Sequence, residues 1–218
     1  MRKKNGDLEG MSFIWDLDGT LIDSYPVLIG SLRKALAERG IQRTEEELRE
    51  YSLRYSVRSY LEKTAEETGI PFEQLKGRYS QLTQERAGEN RLMPGAKEAL
   101  QELQNRGGAH YLFTHKGTSA FEILDRLEIR SFFREIVTGA DGFPRKPAPD
   151  AVRYLVERHG LRPERTWYVG DRKLDRECAE NAGIGSIFYI SSEVGEQEAE
   201  GSDLIVRDLR EIADRAGD

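Results

Sequence analysis

The chain has 218 residues, 38% hydrophobic and 33% charged, with 21 glycines and 7 prolines, which excludes a disordered or fibrous protein. A net charge of -6 argues against nucleic acid as a partner, so any phosphate it recognises must be held by local lysine or arginine. A single cysteine, Cys178, excludes an internal disulfide and a thiolate metal cluster and reads as a core residue. No apolar stretch approaches the ~20 residues that span a bilayer, and the basic start MRKKNGDLEG lacks a small-residue cleavage pattern, so a cytoplasmic protein without membrane attachment is expected.

The first apolar run, MSFIW at 11–15, reads as a buried strand and runs into Asp16 and Asp18, followed at once by Gly19. Two carboxylates that close repel each other and lose hydration, which calls for a cation or a shared proton between them. A calcium loop is not the answer, because the twelfth position counted from Asp16 is Val27 where a bidentate glutamate is required.

From Pro26 to about Gly88 four helices are expected, PVLIGSLRKALAERG, TEEELREY, SVRSYLEKTAEETG and PFEQLKGRYSQLTQERAG, the first with Leu28, Leu32, Ala35 and Leu36 on one face. They form a small domain inserted after the carboxylate pair, since the gap of roughly 90 residues to the next strand is far longer than a crossover helix needs. Beyond it come strands AHYLFT at 109–114, EIVTG at 135–139, TWYVG at 166–170, SIFYI at 186–190 and DLIV at 203–206, and a polar loop at 192–203. Helices such as PGAKEALQELQNRG and APDAVRYLVERHG lie between them; the second carries Val152, Leu155, Val156 and His159 at helical spacing. This alternation predicts an α/β fold: a Rossmann-like parallel sheet with helices on both faces, residues 1–21 and 92–218, and an α-helical cap, residues 22–91.

Ligands of such sheets bind beyond the carboxyl ends of the strands. Those ends carry Asp16 and Asp18, then Thr114, His115 and Lys116, then Asp171 with Asp175 four residues on, and the segment after the third strand carries Lys146 in RKPAP. Acids, one hydroxyl and one lysine converging on a crevice describe a magnesium site that handles a phosphoryl group.

DLDGT, Thr114, Lys146 and GDRKLD, in this order and on these elements, resemble the motifs of the haloacid dehalogenase superfamily of phosphohydrolases, and the likeness runs from about residue 11 to 215. The helical insertion looks like that family's cap of the first type, and phosphoglycolate-phosphatase-like members are the most similar. The resemblance implies Asp16 as nucleophile, Asp18 as general acid and base, Thr114 and Lys146 as phosphate contacts, and Mg2+ held by Asp16, the Asp18 carbonyl and Asp171. Gly19 would turn the chain away from the phosphate, and Asp175 would orient Lys146 or a metal-bound water. Arg172 and Lys173 stand where many members have a small hydroxyl residue after the aspartate, which bears on Asp175.

His115, Lys116, Arg54 and Tyr55 are candidate substrate contacts, with Arg58 beside them in YSLRYSVRSY; an isolated histidine can equally serve as a structural hydrogen bonder. The expected function is hydrolysis of a small phosphorylated metabolite through an aspartyl-phosphate, by a monomer or homodimer whose cap hinges near 22–25 and 91–95. The alternatives are a phosphomutase or phosphotransferase of the beta-phosphoglucomutase type, which shares every core residue, and a binding protein on the same fold. Asp18 separates the chain from dehalogenases, which generally lack a second aspartate in this motif.

Overall fold

The structure, a computed structural model, describes residues 8–191 and 196–217. The residues 1–7 and the first part of the expected polar loop, 192–195, lie outside it; the remainder of that loop contains a short 3-10 turn, Glu196–Ala199. In chain order the elements are β1 (Ser12–Trp15), β2 (Ile22–Asp23), α1 (Tyr25–Ala37), α2 (Glu45–Arg54), α3 (Val57–Thr68), α4 (Phe72–Glu85), β3 (Arg91–Leu92) and α5 (Ala96–Asn105). They continue with β4 (Ala109–Phe113), α6 (Ser119–Arg126), β5 (Phe133–Val137), α7 (Asp150–His159), β6 (Thr166–Gly170), α8 (Lys173–Ala182), β7 (Gly185–Tyr189), β8 (Leu204–Val206) and α9 (Ile212–Arg215). The chain divides into two units, residues 1–23 with 92–218 and residues 24–91.

In the first unit six strands form a parallel sheet in the order β5-β4-β1-β6-β7-β8, the arrangement of an α/β Rossmann-like fold. Every residue of β1 and β4 is buried, as expected of strands covered by helices on both faces. Ile14, Tyr111, Phe113, Tyr168, Leu155 and Cys178 meet in one core cluster below the carboxyl ends of the strands. The Cys178 thiol donates to the Ala148 carbonyl at 3.3 Å, and burial pushes its pKa up to about 12.

Register places the site. Trp15 stands opposite both Leu112 and Val169, and the ladder runs one residue further through Asp16 N–H to Val169 O (2.9 Å) and Thr114 N–H to Val137 O (3.0 Å). Asp16, Thr114 and Asp171 therefore leave the sheet along one edge. The third large strand ends earlier than its sequence suggests, at Val137, because the Asp141 carboxylate takes both the amide and the hydroxyl of Thr138 (2.7 and 2.8 Å) and turns the chain there.

The second unit is four helices around Ile29, Leu32, Leu36, Leu48, Tyr60, Leu61 and Leu75. Local chemistry sets the helix ends: Thr44 accepts from the Glu47 amide (3.2 Å), with Glu45, Glu46 and Glu47 in the first turn of α2, and Ser56 accepts from the Ser59 amide (2.9 Å). Gly69 closes α3 at φ 73°. The apolar face of α1 is broader than expected and rotated: Val27 and Ile29 are buried whereas Leu28 is only half-buried, because α1 packs against both α2 and α4.

Candidate active site

The sheet edge builds a charged pocket out of buried groups. Lys146 Nζ lies 2.6 Å from Asp16 Oδ1 and 2.7 Å from Asp175 Oδ1, with all three side chains at most 9% exposed. The ammonium also sits 5.2 Å from the ring centroids of both Phe113 and Tyr168, so aromatic faces as well as carboxylates hold its charge. Burial opposes that charge, but Asp16 and Asp175 outweigh it and raise the Lys146 pKa.

Asp171 is fully buried and accepts the Thr20 hydroxyl at 2.9 Å, so the threonine of DLDGT orients the aspartate of GDRKLD. Gly19, at φ 88°, takes the left-handed turn and donates to Ile22 O, bringing Thr20 back over the sheet edge. Asp175 serves twice: one oxygen takes Lys146, the other accepts the Arg172 amide (3.1 Å) and caps α8. Arg172 contributes its backbone to that cap, so replacing a hydroxyl residue by arginine leaves Asp175 on Lys146. Gly170 makes the approach possible, because a Cβ there would lie 2.3 Å from the Asp175 Cβ.

Carboxylate oxygens of Asp16, Asp171 and Asp175 lie within 4.8 Å of one another. Burial, then repulsion from Asp175 and Asp18, raises Asp16 to about 7 against the pull of Lys146; burial, then Asp16 and Asp175, raises Asp171 well above the usual range. Three buried carboxylates facing one ammonium leave an excess of negative charge, and a hard, oxygen-seeking divalent cation fits that donor set. The Asp18 carboxylate stands outside this cluster, with Lys116 Nζ 3.1 Å from its Oδ1 as an ion pair that lacks hydrogen-bond alignment.

At the end of β4 the Thr114 hydroxyl oxygen accepts the Lys116 amide (3.1 Å), leaving its proton free to donate outward. His115 is half-buried, its ring edge-on to Phe113, and accepts the Lys146 amide through Nε2 (2.9 Å). Burial, followed by the charges of Lys146, Arg145 and Arg172, lowers its pKa to about 2 and keeps the ring neutral.

Arg54 and Tyr55 belong to the helical unit, at the end of α2, where the guanidinium lies 5.3 Å from the exposed Tyr55 ring. Three contributors escaped the sequence reading: Thr20, Gly170 and Gly139, whose absent Cβ would stand 2.6 Å from the His115 carbonyl oxygen. Thr20 was visible within DLDGT; the two glycines had no signal beyond lying at strand ends.

A family model for haloacid dehalogenase-like hydrolase matches residues 13–189. Phosphoglycolate phosphatase of Shigella boydii is 30% identical over 205 residues, 83% of this chain and 81% of that one; the Vibrio parahaemolyticus enzyme of the same name is 31% identical over 183 residues, 79% and 80%. Among solved structures, a predicted phosphoglycolate phosphatase from Haemophilus somnus superposes with a TM-score of 0.81 at 24% identity, covering 95% of this chain and 97% of that one. A HAD-superfamily hydrolase of subfamily IA from Geobacter sulfurreducens gives 0.74 at 24%, covering 96% and 97%. The chain belongs to the haloacid dehalogenase-like hydrolases. Within that family it is a phosphatase, a hydrolase of phosphoric monoesters. No helix among the described residues is long and apolar enough to cross a membrane.

Proposed function

We propose that the protein is a Mg2+-dependent phosphatase of a small phosphorylated metabolite, phosphoglycolate or a close analogue, acting through an aspartyl-phosphate on Asp16. The observation that carries this reading is the buried carboxylate trio Asp16, Asp171 and Asp175, two of whose members pair with Lys146, beside Asp18, which pairs with Lys116. The 30% and 31% identities to enzymes named phosphoglycolate phosphatase support the substrate class.

In this mechanism an Asp16 carboxylate oxygen attacks phosphorus while the ester P–O bond breaks, and Asp18 gives its proton to the departing oxygen. Water then attacks the aspartyl-phosphate and Asp18 takes its proton, releasing phosphate and restoring Asp16. Lys146 neutralises charge on Asp16 and on the phosphoryl oxygens; the Thr114 hydroxyl donates to one of those oxygens. Asp16 and Asp171 would hold the divalent ion, which offsets repulsion between an anionic nucleophile and an anionic substrate. Arg54 and Tyr55, in the helical unit, are proposed as substrate contacts.

The test is phosphate release from a panel including phosphoglycolate, sugar phosphates and nucleotides, with Mg2+ and with chelator, for the wild type and Asp16→Asn. Metal-dependent release that Asp16→Asn abolishes supports the reading. Substantial turnover by Asp16→Asn, or in chelator, overturns it, and release only when a sugar acceptor is present would turn the assignment to a phosphotransferase.

A further inference from the structure

Lys146 must place its ammonium between two buried carboxylates, yet it sits in a segment between β5 and α7 that no ladder holds. Side chains tie it instead: Asn181 Nδ2 donates to Pro147 O (3.0 Å) and Cys178 Sγ to Ala148 O (3.3 Å), and at Lys146 itself the backbone amide is held by a histidine. His115 Nε2 accepts the Lys146 amide at 2.9 Å, and His115 is itself gripped, its ring edge-on to Phe113 at 5.7 Å. The loop after β5 closes over the backbone of the same stretch: the Gly139 amide donates to Lys116 O at 2.8 Å, and only a residue without Cβ fits there, 2.6 Å from His115 O.

We infer that His115 is a positioning residue, a neutral acceptor that locks the Lys146 backbone to the phosphate-binding end of β4, with Gly139 fixing the loop from behind. The ring nitrogen facing the Lys146 amide must be bare, so the proton resides on Nδ1. An imidazolium there would place N–H against N–H. Thr114, which is to donate to the phosphoryl group, and Lys146, which is to neutralise it, thereby move as one piece. The role assigned to His115 is distinct from contact with substrate, although it rests on the reading of Lys146 given above.

The experiment compares His115→Phe, which keeps a flat ring but removes the acceptor, with His115→Gln, whose amide oxygen can replace it. For His115→Phe the expected result is a loss in kcat of about tenfold to a hundredfold with KM within about threefold, equal across substrates with different leaving groups, since a displaced catalytic group costs on that scale. His115→Gln should recover most of it. Hydrogen exchange supplies a readout independent of turnover: the Lys146 amide should lose protection in His115→Phe, and keep it in Asp16→Asn. Unchanged Lys146 protection in a folded His115→Phe protein, or a loss confined to particular leaving groups, overturns the inference. Failure of the aspartyl-phosphate mechanism would show instead as turnover by Asp16→Asn.

Discussion

The two units differ in the charge they bury: both carry exposed ion pairs, such as Lys97–Glu128 in the sheet unit, but the sealed ones around Lys146 lie in the sheet unit. In the helical unit the ion pairs are on the surface: Arg58–Glu62 has side chains 45% and 44% exposed, Lys63–Glu67 51% and 49%. In the sheet unit the pairs of Lys146 with Asp16 and Asp175 are nearly sealed. Exposed pairs contribute about 0–1 kcal/mol each because water screens them and side-chain entropy opposes them. Burying charge costs desolvation, which at Asp16 the attraction of Lys146 only partly offsets. The crevice is therefore a place where the fold tolerates instability that the helical unit avoids, and four substitutions can sharpen or break that contrast.

The largest effect is expected for Lys146→Met, which leaves three buried carboxylates without their cation: turnover should fall by at least ~1000-fold, on the scale of losing a preorganised electrostatic group, as checked by steady-state phosphate release. A Lys146→Met enzyme within tenfold of wild type would remove the lysine from the chemistry. Next, Thr20→Val deletes the hydroxyl on Asp171 and should weaken activation by Mg2+ about 10–100-fold, read from the concentration giving half-maximal rate. An unchanged Mg2+ curve would mean that Asp171 needs no orientation.

Smaller, and opposite in sign to the functional losses, is the stability of Asp16→Asn. With its pKa raised to about 7, Asp16 favours the folded state while protonated; that contribution is complete below about 3.8 and lost as pH rises through 7. Without metal, Asp16→Asn should therefore be more stable than wild type at about pH 8, with little difference near about pH 4, measured by thermal melts in chelator. His110 contributes the reverse slope. Burial, then the Arg134 charge, lowers its pKa to about 4, against a backbone hydrogen bond with Leu100 that works the other way, so its share of stability is present above about 6.5 and lost as pH falls toward 4. It acts equally in both proteins and cancels in the comparison. An Asp16→Asn protein less stable than wild type at pH 8 would show that Lys146 dominates the pocket. Least of all, Arg58→Ala should change stability by less than about 0.5 kcal/mol by urea unfolding, and a loss above 1 kcal/mol would undo the contrast between the units.

Much of the sheet was legible in the chain because buried parallel strands are short apolar runs bounded by glycine or aspartate; TWYVG occupies the predicted 166–170. Sequence reading failed where a side chain at a distance overrules local pattern. Asp141 ends β5 two residues early, and the packing of α1 against two helices buries Ile29 instead of Leu28. The same holds in the crevice. The positions of Asp16, Thr114 and Asp171 follow from strand ends, whereas Lys146 lies in the loop after β5 and its bond to His115 joins residues 31 apart and has no local signature.

The strands β2 and β3, where the chain departs for the helical unit and returns, pair with each other in a two-stranded ribbon. The residues 24–91 thus form an excursion whose two ends are already joined, so its length scarcely affects the loop-closure entropy borne by the sheet. For an evolving lineage this makes the excursion an exchangeable cassette: a different set of helices can be spliced between Asp23 and Leu92 without re-registering one strand of the sheet.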